Sequence, residues 1–379
     1  MPVVEGATTV FLSPQVRAAP DQLRQVLYDQ ICQTRHVSLL TRKLTDPEVV
    51  QRIAACCRSG ADARALLESE FVREPAAVPE SGLWSRGAGV HAEARRCLGA
   101  LLRSSVDVRL SACPRPRHAT IVITGSDGPE KVLLTSAYLT PGSLDRNYNW
   151  CAVIDDPHVA SAASRSLRSL LDGGPCGAPQ RIEVRSGGDR NAVLALGPGT
   201  LTRQTFEEAV QGCERELHVA FCRISTDSKA LQVLSRAVDR GVRVVGVVDG
   251  DQSNQATDAV PLLRRAGADV RYYPGDRTGA IGRMHLKIAV MDGAGTWLST
   301  ANLEDAAEDS FELALVHPRA PGLAAVLLDQ IERLHQKASV DPLTPDSGRP
   351  LWDTTGPIDV GTLAGTGPGG VTNPFPEDE

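Results

Sequence analysis

Residues 285–302 read HLKIAVMDGAGTWLSTAN, and the way this stretch folds sets the frame for the rest of the chain. Residues 284–291 (MHLKIAVM) form an apolar, β-branched run that predicts a strand. Gly293 and Gly295 mark a turn. A second strand over 296–300 then returns the chain and sets Asn302 beside the first strand. Residues two apart on a strand point to the same face, so His285 and Lys287 act together. Asp292 follows five residues after the lysine and Asn302 ten after that. Each alone reads as a structural histidine, a surface lysine, a turn aspartate or a loop amide. As a set they gather an imidazole, an ammonium and an amide, which suits holding a phosphate and attacking it. Lys287 stands out further because the chain uses thirty-five Arg and only five Lys.

Outward from this motif the chain is a duplication. Residues 7–41 run as a strand, a helical stretch and the strand HVSLL, and residues 191–223 repeat that order. Each copy continues through a helix, a strand, a helix and a strand to a histidine strand, at His118 and at His285. Each closes with a further strand and a long helix, NWCAVIDDPHVASAASRSLRSLL and FELALVHPRAPGLAAVLLDQIERL. The alternation argues for an α/β sandwich per copy, with mixed sheets covered by helices. The boundaries expected are 1–175 for the first copy, 176–190 for a Gly-, Pro- and Arg-rich linker and 191–338 for the second copy. The stretch 339–379 reads as a disordered tail.

The spacing H-x-K-x4-D, followed by the small-polar step Ser299-Thr300-Ala301-Asn302, resembles the signature of the phospholipase D superfamily. Glu312, in the strand 311–316, fits that family's glutamate. The resemblance covers roughly residues 7–338. It implies two tandem phospholipase D-like domains related by pseudo-twofold symmetry, whose two motifs converge on one active site. The first motif is eroded: His118 is kept, Thr120 stands at the lysine position and Gly125 at the aspartate. Thr135-Ser136-Ala137-Tyr138 replaces the asparagine step with tyrosine, and Asn149 matches the glutamate. Arg115, Arg117 and Arg146 are candidates to make up the lost cation, because a guanidinium grips phosphate oxygens in a fork.

The resemblance implies metal-independent cleavage of a phosphodiester, with no cofactor, through a phosphohistidine. His285 is the expected nucleophile and His118 the acid. Lys287, Asn302, Thr300 and Ser136 would hold the phosphate, with Glu312 orienting a histidine and Asp292 supporting the site. Substrates in view are a nucleic acid, a nucleotide or a phospholipid headgroup, with water or an alcohol as acceptor. Either one chain supplies both motifs as pseudo-dimeric halves, or two His285 motifs pair across a homodimer. A second class of function is a degenerate member that binds a phosphorylated ligand or a protein partner without turnover. Phe71 and Trp84, in the loop 69–90, are candidates to cap the pocket, and Arg181, Arg264, Arg265, Arg271 and Arg277 to line it.

Composition agrees with a globular chain of two domains, at 42% hydrophobic and 23% charged residues over 379 positions. A net charge of −6 argues against a general polyanion binder. The nine cysteines are scattered without metal-ligand spacing and read as buried free thiols. Residues 1–6 lack the features of a signal peptide and no apolar run reaches membrane-spanning length, so a cytoplasmic location and no integral membrane association are expected.

Overall fold

The computed structural model describes residues 2–13, 22–32, 34–72, 88–111, 117–172, 178–185, 191–250, 259–274 and 282–340. Trp84, Arg115, Arg277 and the tail beyond Val340 lie outside them. The first half runs β1 (Val3–Glu5), β2 (Thr8–Ser13), α1 (Gln22–Ile31), β3 (His36–Thr41), α2 (Pro47–Arg58), β4 (Asp62–Glu68), α3 (Ala88–Leu102), β5 (Asp107–Ser111), β6 (Thr120–Gly125), β7 (Lys131–Thr135), α4 (Pro141–Asp145), β8 (Asn149–Asp155) and α5 (Pro157–Leu171). The second runs β9 (Gln180–Val184), β10 (Ala192–Pro198), α6 (Gly199–Gln211), β11 (Glu216–Phe221), α7 (Lys229–Asp239), β12 (Arg243–Asp249), α8 (Val260–Ala266), β13 (Asp269–Tyr273), β14 (Lys287–Met291), β15 (Gly295–Ser299), α9 (Asp305–Glu308), β16 (Phe311–His317) and α10 (Pro321–Lys337).

The duplication is complete at the level of topology. One sheet has the order β1-β2-β8-β7-β6-β3-β4-β5, and the other, read from its matching edge, β9-β10-β16-β15-β14-β11-β12-β13. Every strand of one sheet has its counterpart at the same place in the other. In each sheet the last three strands are parallel and the remaining pairings antiparallel. Gln180–Val184, which lies in the stretch read as linker, is therefore the second half's counterpart of β1, paired with β10. Ser339 and Val340, read as the start of the tail, are tied down as well: Ser339 exchanges backbone bonds of 2.8 Å with Tyr272, and Arg264 donates to the Val340 carbonyl at 2.6 Å.

The elements follow from local chemistry. The motif strands β6 (TIVITG) and β14 (KIAVM) are buried along their whole length, as central strands covered on both faces must be. Helix α7 sets Ala230, Leu231, Val233, Leu234 and Ala237 on one buried stripe behind a Ser228 cap. Asp46 and Asp156 cap α2 and α5 by accepting two backbone N–H groups each.

Helices α1 to α3 pack on the outer face of the first sheet and α6 to α8 on that of the second, each with its own core. Between the sheets lies a third core drawn from both halves. Tyr148, Trp150 and Ile154 of the first meet Leu286, Leu298, Leu313 and Leu315 of the second there, with α5 and α10 at its sides. Each such side chain contributes on the order of 1.5–3 kcal/mol by leaving water, which holds the halves in one fixed relation. Polar bonds set the register: Trp150 donates to the Ser299 carbonyl at 2.9 Å, and Glu5 accepts the Leu323 N–H at 3.2 Å.

Candidate active site

The two histidines meet because each half borrows a strand end from the other. The His118 and Ala119 N–H groups donate to the Phe311 carbonyl at 3.1 and 3.3 Å. In the matching place the His285 N–H donates to the Tyr148 carbonyl at 3.0 Å, and the Tyr148 N–H to the Arg283 carbonyl at 2.8 Å. Phe311 and Tyr148 precede Glu312 and Asn149. The exchange thus sets the second half's glutamate against the first half's histidine, and the reverse. His118 Nδ1 lies 2.7 Å from Glu312 Oε1, and His285 Nδ1 lies 3.0 Å from Asn149 Oδ1. Behind each histidine a buried carboxylate holds the preceding residue. Glu68 accepts the Arg117 N–H at 3.2 Å and Asp249 the Met284 N–H at 2.7 Å.

The small-polar residues join the same network. Thr300 Oγ1 donates to Glu312 Oε2 at 2.5 Å, and Ser136 Oγ to Asn149 Oδ1 at 2.9 Å. A hydroxyl has one proton to give, so these two are spent on orienting Glu312 and Asn149. That departs from the expectation that Thr300 and Ser136 bind phosphate directly.

The Asn149 amide is oriented by its surroundings. Nδ2 donates to the Ser143 carbonyl at 2.8 Å, and Oδ1 accepts from Ser136. Oδ1 therefore accepts the proton on His285 Nδ1, which leaves the lone pair on Nε2. His285 is 7% exposed. Burial, then the charges of Lys287, Arg283 and His118, hold its pKa well below the ordinary histidine value, against a bond to the Ser136 backbone. Burial thus favours the neutral ring. His118 sits differently: its side chain is 15% exposed and faces the fully buried Glu312 carboxylate. Lys287 is buried on the His285 side and donates to the His285 carbonyl at 3.2 Å.

The structure does not bring every expected residue here. Asp292 lies at the far end of β14, about 16 Å from Lys287 at ~3.3 Å per strand residue. Its carboxylate accepts the N–H groups of Glu214, Arg215 and Glu216 at 2.9, 2.8 and 3.0 Å and clamps the turn into β11. After burial, which opposes it, those bonds hold its pKa below the usual carboxylate value. Asn302 donates to Glu304 at 3.2 Å, and no described hydrogen bond joins it to either histidine. Arg181 and Arg271 pair with Glu208 and Asp269, and Arg117 is buried against Glu68. A cavity of about 400 Å³ lined by Arg181, Glu208, Asp292 and Pro318 sits at the Asp292 end, remote from the histidines.

Two residues at the site were not expected there. Tyr138, at the position of the lost asparagine, packs against His285 with ring centroids 5.5 Å apart. Arg42, just past β3, directs Nη1 at His118 Nε2 and Nε at Glu70 Oε1, the latter at 2.8 Å. It also hydrogen-bonds Tyr138. Phe71, foreseen as a cap, lies 5.7 Å from the Arg42 guanidinium. The repeat itself carried a signal, since the register of β3 and β11 sets Arg42 opposite the neutral Cys222.

Among the described residues no group of three or more His, Cys, Asp or Glu could hold a metal ion. No helix among them is long and apolar enough to cross a membrane. Of the described cysteines, Cys56, Cys97, Cys151, Cys213 and Cys222 are buried free thiols, whereas Cys32 is exposed.

Residues 206–335 match the family described as cardiolipin synthase, PLD-like domain. No curated protein sequence matches the chain. The fold is similar to that of phosphatidylserine synthase from Haemophilus influenzae Rd KW20, at 13% identity and a TM-score of 0.62, over 90% of this chain and 89% of that one. It is also similar to polyphosphate kinase from Porphyromonas gingivalis, at 13% identity and a TM-score of 0.59. That match covers 86% of this chain, which spans 46% of the kinase.

Proposed function

We propose that this chain, which belongs to the phospholipase D superfamily, cleaves a phosphodiester through a covalent phosphohistidine on His285. The observation that carries this reading is the pair of crossed bonds, His118 to Glu312 and His285 to Asn149. Their difference assigns the two roles. An amide oxygen on Nδ1 fixes the tautomer of His285 without stabilising a positive charge, so Nε2 offers its lone pair at neutral pH. A carboxylate on Nδ1 of His118 supports an imidazolium, the form that can give a proton.

His285 Nε2 attacks phosphorus as the bond to the leaving oxygen breaks. His118 supplies that oxygen with its proton. In the second step His118 takes a proton from an incoming water or alcohol, whose oxygen displaces His285 and regenerates both rings. Lys287 balances charge on the non-bridging oxygens. Both histidines come from one chain, which favours a site between pseudo-dimeric halves over one shared by two His285 motifs in a homodimer.

The test is a chromogenic phosphodiester assay with chelator present, coupled to trapping of the adduct by alkaline denaturing quench. Turnover that survives the chelator, and a phosphoryl group on His285 that is absent in His285→Ala, are expected. Loss in that variant should reach about 10⁴-fold. Full activity in His285→Ala without a trapped adduct would sink the mechanism. Binding of the diester without any turnover would favour the alternative, a degenerate member that holds a phosphorylated ligand. A phosphatidyl diester comes first in the substrate panel, given the cardiolipin synthase and phosphatidylserine synthase names. Nucleic acids and nucleotides follow.

A further inference from the structure

The second half brings its cation to the site on the motif strand itself, as Lys287. In the first half the matching residue is Thr120, whose hydroxyl is 3.1 Å from that of Thr41 and carries no charge. The next residue after Thr41 is Arg42. Its guanidinium reaches His118 Nε2, while Glu70, the Phe71 ring and the Tyr138 hydroxyl hold it from other sides. A guanidinium can only donate hydrogen bonds. It therefore meets the lone pair of His118 Nε2, the same atom that must carry a proton for His118 to act as an acid. Arg42 and a protonated Nε2 exclude one another in this arrangement.

We propose that Arg42 is the phosphate-binding cation of the first half, supplied from the neighbouring strand in place of the missing lysine, and that it exchanges His118 for a phosphate oxygen when the diester enters. The inference rests on the reading of this site as a phosphodiesterase centre. A phosphate oxygen carries full charge and outcompetes a neutral imidazole for the guanidinium. As Arg42 turns to it, His118 Nε2 is released and takes up a proton from the buffered solvent. The ring then bears the charge that Glu312 stabilises. The acid is thus armed by the substrate. Tyr138, bonded to Arg42 and packed on His285, limits how far the guanidinium can turn.

Inorganic phosphate is the probe, titrated into the full chain and its Arg42→Ala, Arg42→Lys and Lys287→Ala variants by calorimetry. The ¹⁵N signal of His118 Nε2 is followed in histidine-labelled protein. Arg42→Ala should weaken phosphate about 10- to 100-fold, and Arg42→Lys only a few-fold, since it keeps the charge. In the parent protein saturating phosphate should move the Nε2 signal from an unprotonated acceptor to a protonated nitrogen. Phosphate binding unchanged in Arg42→Ala but weakened in Lys287→Ala would overturn the role of Arg42 and leave the site reading standing. Equal loss in Arg42→Lys and Arg42→Ala with a static His118 signal would mark a structural arginine and also overturn it. No phosphate binding to the parent protein would remove both the inference and the reading beneath it.

Discussion

The two motif strands occupy the same place in two matching sheets, yet their histidines face opposite partners. His285 rests on an amide, just before β14 and its first residue, Lys287. His118 rests on a carboxylate, with an arginine borrowed from the next strand. The comparison teaches that erosion of one motif after duplication need not abolish a site. Two equal histidines facing two glutamates would both be drawn toward the charged form. Replacing one glutamate with Asn149 gives the two rings unlike partners, and the proposed division of labour between His285 and His118 rests on that asymmetry.

The largest effect that probes this division comes from the leaving group. His118→Ala should slow release of the leaving group from an alkyl diester by about 10³-fold, yet spare the first burst of nitrophenol from a nitrophenyl diester, whose leaving group needs no proton, with only later turnovers slowed by loss of the base. Equal losses on both substrates in that first turnover would break the assignment of His118 as acid.

The ends of β8 and β16 differ as sharply as their beginnings. Ile154 packs into the core between the sheets, whereas its counterpart His317 is buried and neither of its ring nitrogens has a hydrogen-bond partner. Burial lowers the His317 pKa from 6.5 to about 4. The unfolded chain then takes up a proton that the folded one refuses. Stability is full above pH 6.5 and falls as the pH drops from there toward 4, by about 3 kcal/mol in all. His317→Leu should flatten that part of the pH–stability curve in denaturant melts, and an unchanged slope would show that another group is responsible.

Asn149→Glu restores the symmetry that the chain has lost. A carboxylate against Nδ1 should raise the His285 pKa, so the acid limb of kcat/KM moves to higher pH and activity at pH 6 falls about 10-fold. An acid limb that stays in place would mean that Asn149 does not govern His285.

The smallest expected effect on catalysis is that of Asp292→Asn, less than about 2-fold in kcat, alongside a loss of about 1–2 kcal/mol in stability from weaker bonds to the three N–H groups. Its carboxylate is held below its usual pKa, so this contribution is present above the unfolded value near 4 and is lost as the pH falls through the folded one. A large fall in kcat with unchanged stability would return Asp292 to the chemistry. The first half needs no aspartate there. Thr34 Oγ1 accepts the Gly125 N–H at 2.9 Å, and a Cβ at Gly125 would meet the Gly128 carbonyl oxygen at 1.6 Å.

Much of this was legible along the chain. The alternation of apolar runs foretold both sheets, and the matched order of elements foretold the duplication, because strand and helix periodicities are local and repeat with the sequence. Spacing set His285 and Lys287 together, the repeat pointed to His118 and the family resemblance to Glu312, and the structure brings His118 against Glu312. Asp292 was misjudged because a motif aspartate at a strand end looks the same whether it serves a phosphate or a turn. Thr300 and Ser136 were misjudged because their protons go to Glu312 and Asn149, and the choice of acceptor is a matter of geometry.

By itself, then, the sequence determined two α/β units, the order of their elements along the chain and the two stretches that carry the motif histidines. These follow from side-chain periodicity within stretches of ten to twenty residues. Only the tertiary structure decided which histidine meets Glu312 and which meets Asn149, and that Arg42 lies against His118. His118 and Glu312 are 194 positions apart, and Asn149 and His285 are 136. Such pairs are joined by the burial of a shared core between two sheets, and that burial fixes the halves in one relation before any hydrogen bond of the site can form.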